Sequence, residues 1–286
     1  MCIRDRFYSK RRLDYLGGYE KNHGYCFEIP ATTEESFPTE PLTQMGRFVH
    51  EAVAVDPASG IVYETEDQNP SGFYQYIPDH PGQLARGGRL RMLAVRGRPR
   101  YDTRKGQTMG TTLPVNWVEI EDPDPAGAGL DRGLVHKEGA DKGGAAFDRL
   151  EGCWYGNGCI FFTATSGGDE RLGQVWEYRQ TDDEGGVLTL LFQSPDPTLM
   201  ASPDNVCMSP RGGLVVCEDN RDNIQHIRGL TKDGRVFDIA RDIAGITHRG
   251  EFAGATFSPD GQTLFVNMQR PGLTYAIWGP WQDGAA

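Results

Sequence analysis

Acidic and amide side chains recur in this sequence at the two ends of a repeated pattern. In each of four copies, an acid precedes a short apolar run, a turn rich in Pro and Gly, a second apolar run and a polar cluster. The leading acids are Glu51, Glu151, Asp204 and Glu251. Oxygen ligands from Asp, Glu and Asn suit hard cations such as Ca²⁺, Mg²⁺, Mn²⁺ or Fe³⁺. The pattern therefore predicts bound metal where the copies meet.

The elements that must position these acids are short strands. From leading acid to polar cluster the copies measure 15, 14, 14 and 16 residues, which is typical of two antiparallel strands joined by a hairpin turn. The leading acids stand 100, 53 and 47 residues apart, and the last two steps match a propeller blade of roughly 40–50 residues. We therefore expect an all-β fold, a β-propeller of about four blades, as a small complete ring or as part of a larger one.

Composition and charge exclude several classes of protein. The 286 residues carry a net charge of −11, which disfavours binding to nucleic acid or to an anionic membrane. No apolar run approaches the roughly 20 residues of a membrane span. Six cysteines are too sparse for a disulfide framework, although Cys207 and Cys217 flank one turn and leave a cross-strand disulfide open. We expect a monomeric protein.

The domain organisation follows from where the pattern begins. We assign residues 20–286 to the propeller domain, with surface loops near residues 30–41 and 122–142, which are rich in Pro or Gly. Residues 1–19 are atypical, and their basic start is not followed by the apolar segment of an export signal. This beginning suggests a truncated or artefactual reading frame.

Each candidate ligand has a structural alternative. Glu66 and Asp67 are interpreted as metal ligands, with a solvated turn as the alternative. Arg149 and Glu151 lie two residues apart and so share one face of an extended chain, either as a surface ion pair or as an oxyanion clamp beside a metal ligand. Weaker candidates lie beside these positions, with His50 considered for acid–base chemistry; they are His50, Glu51, Asn205, Asn220 and Glu251.

These motifs resemble the PhoX-type alkaline phosphatases of bacteria. The resemblance rests on strings that include GRFVHEAVAVDP, GIVYETEDQ, FDRLEGCWY, SPDNVCMSPRGGLVVCEDN and EFAGATFSPDGQTLFVNMQ. It implies a six-bladed propeller with a central site for Fe³⁺ and Ca²⁺, which hydrolyses phosphate monoesters after export to the periplasm or the medium. It also implies that Arg149 contacts phosphate and that Glu66 with Asp67, Glu151 and an Asp of the SPDN or CEDN segment are metal ligands. The candidates in those two segments are Asp204, Glu218 and Asp219, and which of them binds which ion stays open. The family's upstream Cys-Glu-Glu segment, which supplies a thiolate ligand to iron, has no counterpart before Glu20.

Two other functions remain open at this point. A calcium-dependent lactonase or esterase-like propeller hydrolase would also use a few acidic ligands at the channel. An inactive fragment, acting at most as a binding module, would carry the same acids without turnover. Assays of phosphate esters against lactones, with metal or with chelator, separate these hypotheses.

Overall fold

The computed structural model describes residues 2–4, 21–30, 39–220, 224–243 and 250–281. Most of the atypical segment 1–19 and most of the predicted loop 30–41 lie outside the described residues. Nearly all regular structure in the described part of the chain is β-strand. The chain divides into two compact units, residues 1–102, 114–150 and 182–185, and residues 103–113, 151–181 and 186–286. Each strand is assigned below to the unit that holds most of its residues.

The first unit is built from consecutive antiparallel strands. Strand β1 pairs with β2, and β3 to β7 pair in chain order as a meander. Its elements are β1 (Cys2–Arg4), β2 (Cys26–Glu28), β3 (His50–Val55), β4 (Val62–Glu66), β5 (Phe73–Pro78), β6 (Gly88–Val95), β7 (Thr112–Ile120), two 3₁₀ helices (Thr43–Met45 and Leu84–Arg86) and helix α1 (Leu134–Asp141).

Helix α1 lies within the segment that the sequence predicted to be a surface loop. Val135 on this helix is fully buried in the core of the first unit. Gly139 packs so closely that an added Cβ would stand 2.3 Å from the Met92 sulfur on β6. The glycine that weakens helical propensity is therefore the residue that lets the helix pack against the sheet. Tertiary packing has overridden a composition typical of loops.

The second unit repeats the meander. Strands β8 to β11 are neighbours in chain order, as are β12 to β15 and β16 to β18. The elements are β8 (Leu150–Gly156), β9 (Cys159–Ala164), β10 (Gln174–Asp182), β11 (Gly185–Gln193), β12 (Pro203–Met208), β13 (Leu214–Glu218), β14 (His226–Leu230), β15 (Val236–Arg241), β16 (Phe252–Phe257), β17 (Thr263–Met268) and β18 (Leu273–Trp278). The four predicted hairpins are β3–β4, β8–β9, β12–β13 and β16–β17.

The cysteines of the second unit are core residues. Cys207 and Cys217 are both fully buried and carry free thiols. In the β12–β13 ladder Cys207 faces Val215, two residues from Cys217, so the turn does not bring the two cysteines directly opposite each other. Burial raises the pKa of the Cys207 thiol to about 12. The disulfide left open by the sequence is absent from the described residues.

We expect the buried cysteines to resist Ellman's reagent at pH 8 in the native chain and to react after unfolding. Cys26, Cys153, Cys159, Cys207 and Cys217 are all buried, and the reactive thiolate is disfavoured where burial raises the pKa. Absorbance after reagent addition, with and without denaturant, counts the thiols. Two missing thiols in the denatured, unreduced chain would contradict the free state of Cys207 and Cys217.

Candidate metal centre

Two hairpins hold their leading acid in a β-bulge. The β3–β4 ladder shifts register around Glu51, and the β12–β13 ladder shifts around Asp204 and Asn205. A bulge bends the strand and re-aims the side chains that it contains. The sequence predicted the acid at the start of these hairpins, and the bulge determines the direction in which its carboxylate projects.

The second copy of the pattern holds its leading acid at the same place in the hairpin as the first copy does. The N–H of Ala52, next to Glu51, donates to Thr65 Oγ1 at 2.9 Å. The N–H of Gly152, next to Glu151, donates to Thr163 Oγ1 at 2.9 Å. Glu151 therefore occupies in its hairpin the position of Glu51, and it is buried at the start of β8.

The fourth copy departs from the shared position. The N–H groups of Asp67 and Asp219 each donate to the carbonyl two residues before their leading acid, both at 2.9 Å. In the fourth copy the N–H of Gln269 donates to the carbonyl of Glu251 itself, also at 2.9 Å. Glu251 is thus two residues earlier in its hairpin than the other leading acids. The prediction that the leading acids share one position is wrong for Glu251, because Glu251 stands seven positions before its turn at Ser258, whereas Glu51 stands five positions before Asp56.

Three carboxylates nevertheless converge in the second unit. Asp204, Asp219 and Glu251 each offer an oxygen, and these oxygens lie within 4.8 Å of one another. All three residues are partly exposed. Glu251 Oε1 also accepts a hydrogen bond from Gln269 Nε2 at 2.7 Å. Like charges at this spacing repel, so the arrangement favours a cation between them.

Neighbouring strands set the position of Asp204. Thr163 Oγ1 on β9 donates to the carbonyl of Asp204 at 2.6 Å. Gly152 on β8 permits the approach, because an added Cβ would lie 2.5 Å from the same carbonyl oxygen. Gly152 at the start of β8 therefore accommodates the backbone of the next hairpin, a role that its sequence motif does not reveal.

Glu218 lies in a different environment. It is fully buried, and its Oε1 accepts from the N–H of Ala201 at 2.9 Å and from Arg228 Nε at 3.0 Å. Its Oε2 lies 3.1 Å from His226 Nδ1. Arg228 also pairs with Asp238. Both oxygens of Glu218 are thus used in a buried ion-pair network, and Glu218 is not part of the converging group.

The two candidate asparagines make contacts that hold the backbone. Asn205 Oδ1 accepts from the N–H of Ala255 at 3.0 Å and so links β12 to β16. The N–H of Asn220 donates to Gln225 Oε1 at 3.0 Å, and its carbonyl accepts from Gln225 Nε2 at 2.7 Å. These bonds position the segments that carry the acids.

In the first unit, Asp67 lies close to a second acid, Glu51, and pairs with an arginine. Oxygens of Glu51 and Asp67 lie within 4.8 Å of each other. Arg149 Nε donates to Asp67 Oδ1 at 2.7 Å and its Nη2 donates to Oδ2 at 3.3 Å. Two parallel bonds of this kind fix the guanidinium plane. Arg149 also has a φ of 53°, a left-handed conformation that is uncommon for a residue with a side chain.

Glu66, next to Asp67, points into the core. Its Oε2 accepts from the N–H of Gly72 at 2.8 Å and from the Tyr74 hydroxyl at 2.9 Å. Its Oε1 is buried with no hydrogen-bond partner among the described residues. Burial raises the pKa of Glu66 to about 7, and the two hydrogen bonds offset part of that effect.

His50 is also a core residue, with 2% of its surface exposed. Its Nδ1 lies 3.2 Å from Glu64 Oε2 and 3.6 Å from Cys26 Sγ. The sequence interpretation singled out His50 but missed Glu64 and Cys26 as partners. The alternation of Glu64 and Glu66 along β4 is a signal that both carboxylates face one side of the strand. Cys26 and Glu64 are 38 residues apart, so no local sequence pattern could indicate that they are in contact.

The comparisons with known proteins identify the family. The family model for the alkaline phosphatase PhoX matches residues 4–272. The chain belongs to the PhoX alkaline phosphatase family. No curated protein sequence matches this PhoX-family chain.

Solved structures show the same fold. The structure of Pseudomonas fluorescens PhoX in complex with vanadate, a transition state analogue, is 20% identical with a TM-score of 0.67, covering 92% of this chain and 54% of that one. This likeness confirms the all-β, propeller-like fold, whereas the number of blades stays a prediction. The PhoX-family chain thus spans about half the length of that relative.

Two further structures are less similar. A Lactobacillus plantarum protein is 12% identical over 91% of this chain and 63% of its own, with a TM-score of 0.43. The periplasmic gluconolactonase PpgL of Pseudomonas aeruginosa is 11% identical over 88% and 74%, with a TM-score of 0.40. Within the described part of this PhoX-family chain, no helix has the length and apolar character needed to cross a membrane.

Proposed function

We propose that this PhoX-family chain hydrolyses phosphate monoesters in a metal-dependent reaction. The observation that carries the proposal is the convergence of Asp204, Asp219 and Glu251 within 4.8 Å. Sequence predicted two of these as ligands and gave Glu251 less weight, yet all three come together. Membership of the PhoX family supports phosphate esters as the substrate class.

The donor set fits the cations that the family implies. Carboxylate oxygens are hard ligands, which suit Ca²⁺ and Fe³⁺ better than softer metals. Asp204, Asp219 and Glu251 would hold one ion, and Glu51 with Asp67 would contribute to another. A cation bound at either position would supply positive charge to the phosphoryl oxygens of an ester bound beside it. Glu218 is left out of this ligand set because it is fully buried against Arg228 and lies outside the converging groups of donor atoms.

Arg149 is the residue that we assign to the phosphate. Its guanidinium is held by two bonds to Asp67, so its orientation is set before any substrate arrives. Arg149 lies two residues before Glu151. It therefore has the place in the second hairpin that Glu251 has in the fourth. A planar guanidinium matches the geometry of two phosphate oxygens and remains charged at every physiological pH.

The substrate class, the oligomeric state and the location of the protein are proposed from its family. We propose small phosphate monoesters as substrates, a monomeric protein, and export to the periplasm or the medium, as expected for the PhoX family. Assay of p-nitrophenyl phosphate against a lactone, with Ca²⁺ and Fe³⁺ or with chelator, tests the activity. Phosphate release that chelator abolishes supports the proposal. Lactone cleavage without phosphate release would replace it with the lactonase hypothesis, and the absence of both activities would favour the binding module.

Cation binding at the three converging acids can be tested without turnover. We expect Ca²⁺ to raise the unfolding temperature of the wild-type chain, because a ligand at about 100 times its Kd stabilises a fold by about 2.7 kcal/mol. Asp219→Asn should remove most of this rise and lower bound calcium by one ion per chain. The measurements are thermal unfolding and metal analysis after dialysis.

Asp183→Asn is the matched control, because Asp183 is exposed in a turn between β10 and β11. It should leave both the calcium content and the rise in unfolding temperature unchanged. Equal calcium binding by Asp219→Asn and by the wild type would remove Asp219 from the ligand set.

A further inference from the structure

We propose that Cys26, His50 and Glu64 form a second, chemically different metal site that binds Zn²⁺ or a similar divalent transition metal. These three residues are named here the buried trio. All three are at most 2% exposed, and each offers a ligand atom within 4.8 Å of the other two. The site lies in the core of the first unit, where β2 meets the β3–β4 hairpin, and it shares no residue with the carboxylate groups described above.

The spacing of the donor atoms fits a tetrahedral ion. Sγ of Cys26 lies 3.6 Å from His50 Nδ1 and 3.9 Å from Glu64 Oε2, and Nδ1 lies 3.2 Å from Oε2. Ordinary zinc bond lengths at tetrahedral angles separate sulfur from nitrogen by about 3.6 Å, sulfur from oxygen by about 3.6 Å and nitrogen from oxygen by about 3.4 Å. All three observed separations agree with these values to about 0.3 Å.

The other nitrogen of His50 makes the contact expected of a metal ligand. His50 Nε2 lies 3.0 Å from the carbonyl oxygen of Gly46, which can only accept a hydrogen bond. The ring proton of a neutral His50 is therefore on Nε2, and the lone pair on Nδ1 points at the thiol and the carboxylate. Histidines that bind metals commonly donate their second N–H to a backbone carbonyl in this way. The Phe48 ring, 3.8 Å from the imidazole centroid, packs against it and restricts its rotation.

Glu64 completes the set of donors. Its Oε1 is buried and has no hydrogen-bond partner among the described residues. A carboxylate held in an apolar core without full compensation is costly, and burial raises the pKa of Glu64. A cation bound beside Glu64 would offset the cost of burying Oε1, and Cys26, His50 and Glu64 would supply three of its four tetrahedral donors.

The ligand types separate this site from the carboxylate centre. Thiolate and imidazole are softer donors than carboxylate, and together they favour Zn²⁺ or Co²⁺ over Ca²⁺. A metal here would tie β2 to the β3–β4 hairpin, which begins 24 residues after Cys26 in the sequence. The expected consequence is a more stable first unit, with no requirement for phosphatase turnover.

Cobalt is the probe that reports the thiolate directly. The purified full chain is stripped with chelator and titrated with Co²⁺ under anaerobic conditions. We expect a thiolate-to-cobalt charge-transfer band that saturates at one equivalent and disappears when Zn²⁺ is added. Carboxylate-only sites do not give this band, so binding of Co²⁺ at Asp204 or Asp67 cannot imitate it.

Two serine variants test whether Cys26 supplies the thiolate that binds cobalt. Cys26→Ser should lose the charge-transfer band, while Cys159→Ser, which alters a buried free cysteine of the second unit, should keep it. Absence of the band in the wild-type chain, or its persistence in Cys26→Ser, would overturn the proposal.

A third variant covers the case in which serine destabilises the core. Cys26→Val keeps the site apolar and close in volume. Zn²⁺ should raise the unfolding temperature of the wild type more than that of Cys26→Val. An equal rise in the two chains would also overturn the proposal.

Discussion

Replacing Arg149 by alanine is expected to lower kcat for p-nitrophenyl phosphate by about 100-fold or more, the usual cost of removing one preorganised donor from a developing anion. The reason is geometric, since Asp67 holds the guanidinium by two bonds at 2.7 and 3.3 Å. Calcium and iron content should not change, because an arginine does not ligate a cation. Steady-state kinetics and metal analysis of the same preparation provide the measurement.

Two further variants give the Arg149 experiment its specificity. Arg149→Lys keeps the charge but loses the planar fork, so we expect kcat between those of the wild type and the alanine variant. Arg100→Ala is the matched control, because Arg100 also has a positive φ and pairs with a carboxylate, that of Asp141, but is exposed. Full activity in Arg149→Ala, or an equal loss in Arg100→Ala, would exclude Arg149 from the mechanism.

The second large effect concerns stability. Glu218→Ala is expected to lower the free energy of unfolding by about 3–5 kcal/mol, the usual result of removing one partner from a buried ion pair. Arg228 would keep a side chain that is only 6% exposed while losing its bond to Glu218 Oε1. The N–H of Ala201 would lose its acceptor as well. Urea unfolding followed by circular dichroism measures the difference.

Asp238→Ala is the control for this prediction, because Asp238 pairs with the same arginine from a position that is 55% exposed. Exposed ion pairs contribute little, so the expected loss is below about 1 kcal/mol. If Glu218→Ala instead lost bound calcium at unchanged stability, Glu218 would be a ligand, as its sequence motif predicted.

Much of the fold could be predicted from local pattern. Residues 204–218 show why: an acid, two apolar runs and a Pro/Gly turn are sufficient to predict β12 and β13 at nearly their observed bounds. The helix at Leu134–Asp141 could not be predicted, because its stability comes from contacts with β6 and not from its own propensity.

The candidate site could likewise be predicted only in part from the sequence. The sequence alone determined which residues are acidic and where hairpins begin, since both depend on composition and on a two-residue period. It could not distinguish Asp219, which joins two other carboxylates, from its neighbour Glu218, which is buried against Arg228. Adjacent residues of a strand point to opposite faces, and only packing decides which face meets which neighbours.

The tertiary structure also decided the partners of distant residues. Glu251 reaches Asp204 and Asp219 although it stands two residues earlier in its hairpin, and Cys26 reaches Glu64 across 38 residues of sequence. The residue types and strand periods are local properties that the sequence determined by itself. The ligand groups are set by long-range contacts between strands. The spacing of residues in the sequence does not determine which distant strands come into contact.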